Sequence, residues 1–193
     1  VIRTSLRGRL DELAPRVRAY RRLRGYDESS RVTIEQLDRL ESQLGLRLPE
    51  EYHAFLTRFG TGGFGLLTPG EVYLRSRCDM SGERAYVSLP FAVTDGHGLG
   101  CCPEDEMLHG SVPIAENGCA FYTALAVTSA SAGTVWRNDY AVPGADDLFC
   151  WAPAGITQTD PVTPLGFLSW IEQIVAYRVP RRPRRWFLPR RLR

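Results

Sequence analysis

The stretch from Thr33 to Phe64, TIEQLDRLESQLGLRLPEEYHAFLTRFGTGGF, constrains the fold of this chain more than any other. Ile34, Leu37, Leu40 and Leu44 recur at helical spacing, which predicts an amphipathic helix. Thr33 and Gln36 match a capping box at its start, and Gly45 supplies the left-handed residue that stops it. Pro49 suits a first helical position, where no amide donor is needed, and Glu50 and Glu51 complement the positive end of a helix dipole. Tyr52, Phe55, Leu56 and Phe59 then form a second buried stripe, closed by Gly60. Nothing in this stretch is chemically reactive. It reads as a scaffold.

Upstream, Leu6, Leu10, Leu13, Val17 and Tyr20 alternate at spacings of four and three, again a helix pattern, with arginines on the opposite, solvated face. Pro15 lies within it, so a bend near Ala14 or a second helix starting at Pro15 is expected. Downstream of Gly65 the chain turns to strand chemistry. Pro69-Gly70 reads as a turn, Val72–Leu74 as a short β-prone piece, and 85–94 as a strand interrupted by Pro90. Val112–Glu116 and Cys119–Thr128 read as a hairpin with Asn117-Gly118 at its tip. Thr134–Tyr140 and Leu148–Ala152 add strands, and a last helix opening at Thr163 or Pro164 turns Leu165, Leu168, Ile171, Ile174 and Val175 inward. Helices, then hairpins, then a helix predict an α+β fold: a single domain with an antiparallel sheet, N-terminal helices and a closing C-terminal helix.

Composition narrows the class. A chain of 193 residues holds one well-buried core, and 44% hydrophobic with 24% charged residues is ordinary for a globular protein. No apolar run approaches the ~20 residues of a membrane helix, and the first residues lack the apolar core of a signal peptide, so the cytoplasm is the expected location. Five cysteines (Cys78, Cys101, Cys102, Cys119, Cys150) without regular spacing argue against a disulfide framework. Lysine is absent, and the arginines crowd residues 3–31 and 178–193. Between Val32 and Tyr177 acidic residues outnumber arginines by roughly two to one. The chain is therefore an acidic body with basic ends, suited to two kinds of partner.

Candidate chemistry is sparse. Of the three histidines, His53 falls one step off an apolar stripe and reads as a boundary residue. His97 could reach Cys101 or Cys102, an arrangement that serves a thiol nucleophile or a loop equally well. Adjacent cysteines suit tetrahedral zinc poorly, so neither metal nor cofactor is expected. Glu104, Asp105, Glu106, Asp146 and Asp147 read as solvated loops or as an acidic surface that meets a basic partner. Arg181, Arg182, Arg184 and Arg185, with Trp186 beside them, read as a loose extension or as a segment that holds phosphates and inserts an aromatic ring. Trp136, Trp151 and Trp170 read as core residues.

Three motifs carry a family resemblance. Leu44-Gly45, Leu48-Pro49, Tyr52, Phe55-Leu56 and Gly62-Gly63 resemble the helical signature of the SUKH superfamily, which holds bacterial immunity proteins and fungal regulators of cell-wall synthesis. Gly118-Cys119, Ala124–Thr128, Gly133 and Val135-Trp136 are similar to its strand–turn–strand segment, and Phe167-Leu168 with Trp170-Ile171 to its closing helix. The resemblance implies a SUKH-like domain over 33–177, flanked by an arginine-rich helical segment (1–32) and a basic extension (178–193). It implies a non-enzymatic protein that binds a cognate secreted toxin, a nuclease being one target class, and neutralises it by covering its active face. The alternative is an adaptor that binds nucleic acid or anionic surfaces through its arginine-rich ends.

Overall fold

The computed structural model describes residues 5–26, 31–76, 86–91, 100–102, 108–118, 121–138, 149–155 and 163–179. The first helix, α1 (Leu6–Leu23), runs unbroken through Pro15, capped at its start by Ser5. No second helix starts at Pro15: Pro15 and Asp11, whose carbonyl the proline leaves without a donor, both face water, where solvent can serve that carbonyl. Helices α2 (Ile34–Leu44) and α3 (Glu50–Phe59) follow as their periodicity predicts. Thr33 and Gln36 exchange both bonds of the capping box, and Gly45 ends α2 at a φ of 71°. Leu37, Leu40 and Leu44 are buried, whereas Ile34, in the first turn, is 52% exposed.

Two segments depart from the strand expectation. Pro69–Arg75 forms a helix, α4, because Thr68 and Glu71 close a second capping box and Pro69 occupies the first turn. These end signals outweigh the β preference of Val72 and Tyr73. Tyr86–Ser88 is a single 3-10 turn rather than a strand.

Among the described residues the sheet has six strands, all antiparallel: β1 (Gly100–Cys102), β2 (Ser111–Gly118), β3 (Phe121–Ala126), β4 (Thr134–Asn138), β5 (Phe149–Pro153) and β6 (Leu165–Gly166). Its order is β1-β5-β4-β3-β2, and β6 pairs with the start of β4. Leu165 therefore belongs to a strand, and the closing helix α5 starts at Phe167 and runs to Arg178. Gly118 pairs with Phe121, so Asn117 and Gly118 belong to β2 and are not the tip of the β2–β3 hairpin. Register shifts after Pro113 and Glu116 each add a residue to β2 and carry the turn further along the chain. The free edge of β2 is covered by Leu66 and Leu67, the latter donating its amide to Ile114.

Alternation along the strands sends Leu125 and Val135 toward the helices and Ala124, Ala126 and Trp136 to the other face. On the helical side an aromatic chain forms the core. Phe167 meets Tyr52 and Phe55 edge-on at 5.0 and 5.4 Å, and Phe64 links Phe55 to Tyr20. On the opposite side Phe91 packs over Trp136 and Trp151, with small alanines on β3 leaving room for the indoles. Gly110 holds that second layer in place. Its amide donates to Tyr86, and its carbonyl accepts from Val127 and Thr128. With φ at 61°, a Cβ there would lie 2.4 Å from the Phe91 nitrogen, so only glycine fits.

Tyr52 is fully buried, and its hydroxyl has no hydrogen-bond partner among the described residues. Burial pushes its pKa up from the ordinary 10.0. The native state then keeps a proton that the unfolded chain releases, so stability is intact below the ordinary value and falls as pH rises above it. Tyr52→Phe should therefore raise unfolding free energy by about 1 kcal/mol at neutral pH. Its advantage should widen by up to ~1.4 kcal/mol per pH unit above about pH 10, read from urea midpoints at stepped pH.

Candidate interaction cleft

Arg9 ties the elements that carry the site. Its guanidinium donates to Glu51 on α3 and, at 3.2 Å each, to Ser169 and Glu172 on α5. The other Glu51 oxygen accepts the Leu168 amide at 2.9 Å. The N-cap of α5 is Gly166, which has no side chain to offer its amides, so Glu51 supplies the missing carboxylate from α3. Glu51 thus serves the dipole of α5 as well as that of its own helix. Arg21 also turns inward: it is 6% exposed and donates to the Gly62 carbonyl at 3.0 Å. The arginines of α1 are therefore not all a solvated face. Arg9 and Arg21 are structural, while Arg7, Arg18, Arg22 and Arg24 face water.

Held in this way, α5 overhangs the sheet beyond its apolar contacts and leaves a cleft of about 620 Å³. The floor is the helical face of the strands where apolar residues give way to polar ones: Thr123 follows Leu125, and Arg137 follows Val135, two positions along. Asn117 donates to Thr123 Oγ1 at 3.0 Å, and Asn138 accepts the Tyr122 amide at 2.6 Å, fixing the strand ends. The walls are Tyr20 from α1, Phe64 from the glycine turn, and Trp170, Ile174 and Tyr177 from α5. Arg178 closes the rim, its guanidinium 5.4 Å from the Tyr177 ring centroid.

The cleft is not legible in the sequence, because its described residues come from seven separate segments. One signal was available. Strand alternation through Val135, Trp136 and Arg137 places a cation on the face that otherwise meets helices. Of the residues singled out earlier, Glu104, Asp105, Glu106, Asp146 and Asp147 lie outside the described residues. So do His97 and the basic set Arg181, Arg182, Arg184, Arg185 and Trp186. His53 is half-buried on α3, and the sheet register sets Cys101 opposite Cys150. Among the described residues no group of His, Cys, Asp and Glu could hold a metal ion, and no helix is long and apolar enough to cross a membrane. Trp136, Trp151 and Trp170 are buried, as expected.

The SMI1 / KNR4 family (SUKH-1) matches over residues 31–151, from just before α2 into β5. The chain belongs to this family. Two of the three motifs behind the SUKH resemblance fall within the match; the closing-helix motif lies beyond it. No curated protein and no solved structure matches the chain. Within the SUKH-1 region the cleft takes Phe64, Thr123 and Arg137, while Tyr20 and Trp170 come from the two helices that Arg9 joins.

Removing the Glu51 carboxylate leaves both Arg9 and the α5 amide without it. Glu51→Ala should lower unfolding free energy by about 2–3 kcal/mol. Hydrogen exchange should quicken first at Leu168, ahead of the α2 amides, and uniform protection would contradict the role given to Glu51.

Proposed function

We propose that this SUKH-1 protein is a non-catalytic immunity protein, one that binds a cognate secreted toxin inside the producing cell and blocks its active face. One observation carries the reading. The matched family residues Leu48, Tyr52, Phe55, Leu56 and Trp136 are all buried, at 6% exposure or less. In this chain the motif residues thus shape a body, as suits a protein that acts by being held against another macromolecule. Affinity in such a pair comes from a few desolvated anchors, and opposed charge speeds encounter. Glu104, Asp105, Glu106, Asp146 and Asp147 form the acidic set we assign to a basic toxin surface, with nuclease toxins as the natural class because their phosphate-binding sites are basic.

A second reading is an adaptor that engages nucleic acid or anionic surfaces. The exposure of Arg7, Arg18, Arg22 and Arg24 on α1 favours it. It requires DNA or RNA binding by the isolated chain that weakens steeply with salt and is lost on removing 178–193.

The deciding experiment co-expresses the chain with the product of the adjacent reading frame. Co-purification at one-to-one stoichiometry with relief of toxicity is expected. Reversing Glu104, Asp105 and Glu106 to arginine should slow association about tenfold at low salt, with little effect at high salt. Turnover of a substrate by the purified chain alone would sink the immunity reading.

A further inference from the structure

We infer that Cys101 on β1 and Cys150 on β5 form the site of a reversible cross-strand disulfide, which fastens the end strand of the sheet to its neighbour. The site stands apart from the immunity reading and does not depend on the partner's identity. The two residues lie directly opposite one another in the antiparallel register. Strand β4 fixes which kind of opposite pair they are. Trp136 pairs with Pro153, so Val135 and Ala154 face each other one step further along. The Ala154 amide donates to the Val135 carbonyl at 3.0 Å, which makes this a hydrogen-bonded pair. Successive residues of a strand turn their amide and carbonyl to opposite neighbours. Ala152 and Cys150 therefore bond toward β4, while Trp151 and Phe149 bond toward β1, opposite Gly100 and Cys102. Pro153 agrees with this phase: it has no amide to give, and its place opposite Trp136 asks for none. Cys101 and Cys150 are thus the pair without ladder bonds between two pairs that have them.

That phase decides the sulfur chemistry. In a pair without ladder bonds the Cα atoms approach to about 4.5 Å, against about 5.5 Å in the other kind. A disulfide spans Cα separations of about 4.4–6.8 Å, so this register admits the bond without backbone movement. Cys102 is no substitute, because one step along a strand changes face and its opposite residue is Phe149. Strand β1 is three residues long, stands at the end of the strand order and pairs with β5 alone among the described strands. So short an edge opens readily, and a link at its middle residue holds it closed. The bond forms by exchange with a small-molecule disulfide such as glutathione disulfide. One cysteine thiolate attacks a sulfur of that disulfide, expels a thiolate and becomes a mixed disulfide. The other then attacks the protein-bound sulfur, closes the Cys101–Cys150 bond and expels the second thiolate. Two protein thiols are oxidised, one disulfide is reduced to two thiols, and the two protons lost by the protein pass to the departing thiolates. Excess thiol drives the same steps backward.

The test treats the reduced full chain, under native conditions, with glutathione disulfide and reads intact mass, linked peptides and amide exchange. Loss of two hydrogens is expected, with the peptide holding Cys101 and Cys102 joined to the one holding Cys150. This linkage is read on the wild type, so a variant that fails to fold does not obscure it. Single variants then assign the bond: Cys101→Ser and Cys150→Ser should each abolish it, and Cys102→Ser should leave it. Exchange at the Cys102 amide should slow at least about tenfold on oxidation and recover with dithiothreitol. A bond kept by Cys101→Ser and lost in Cys102→Ser overturns the inference. So do a bond from Cys150 to Cys78 or Cys119, glutathione adducts alone, or an unchanged mass at millimolar oxidant. Unaltered Cys102 exchange in the linked chain overturns the fastening of β1.

Discussion

A carboxylate on α3 and a guanidinium on α1 set the position of α5, and most of the architecture depends on that junction. Glu51 meets an arginine with one oxygen and a helix-start amide with the other, in a half-buried setting where both charges stay compensated. The constraint is geometric as much as energetic. Gly166 must pair with Thr134 in the sheet and, one residue later, release the chain into a helix. A glycine permits that change of direction but offers no oxygen to the amides it exposes. The neighbouring helix provides it. Through Arg9 the same carboxylate also recruits α1, so helices at opposite ends of the sequence close on one another outside the matched family region.

How far this could be read from residues alone depends on how local the determinants are. Helices α2 and α3 were legible because caps, stripe and stop lie within a dozen positions of one another. In α4 the local signals conflict: Val72 and Tyr73 prefer strands, whereas Thr68, Pro69 and Glu71 start a helix, and the end signals win. Strand β6 is two residues long and defined by its partner β4, so no periodicity could announce it. The hairpin tip moved because two bulges in β2 depend on what packs on either side, Leu67 on one edge and β3 on the other. The cleft was less legible still. Tyr20, Thr123, Arg137 and Trp170 become neighbours only through tertiary packing, and each reads singly as core or strand.

The family match and the packing explain each other. The residues that carry the SUKH signature are those whose burial fixes the relation of α2 and α3 to the sheet. The cleft lies at the border of this packed interior, with apolar contacts at one end and polar groups at the other.

The strand order has a consequence for how the chain reaches this state. β2, β3 and β4 are sequential neighbours and can zip together early, whereas β1 must wait for β5, about fifty residues later, before it has anything to pair with. Separations of that kind slow folding because chain entropy is lost before contacts repay it. On the ribosome, the residues of β1 emerge well ahead of those that will receive them, and α1 emerges long before α5. The residues of the meander are thus all present in the chain before those of β5 and α5 can join them.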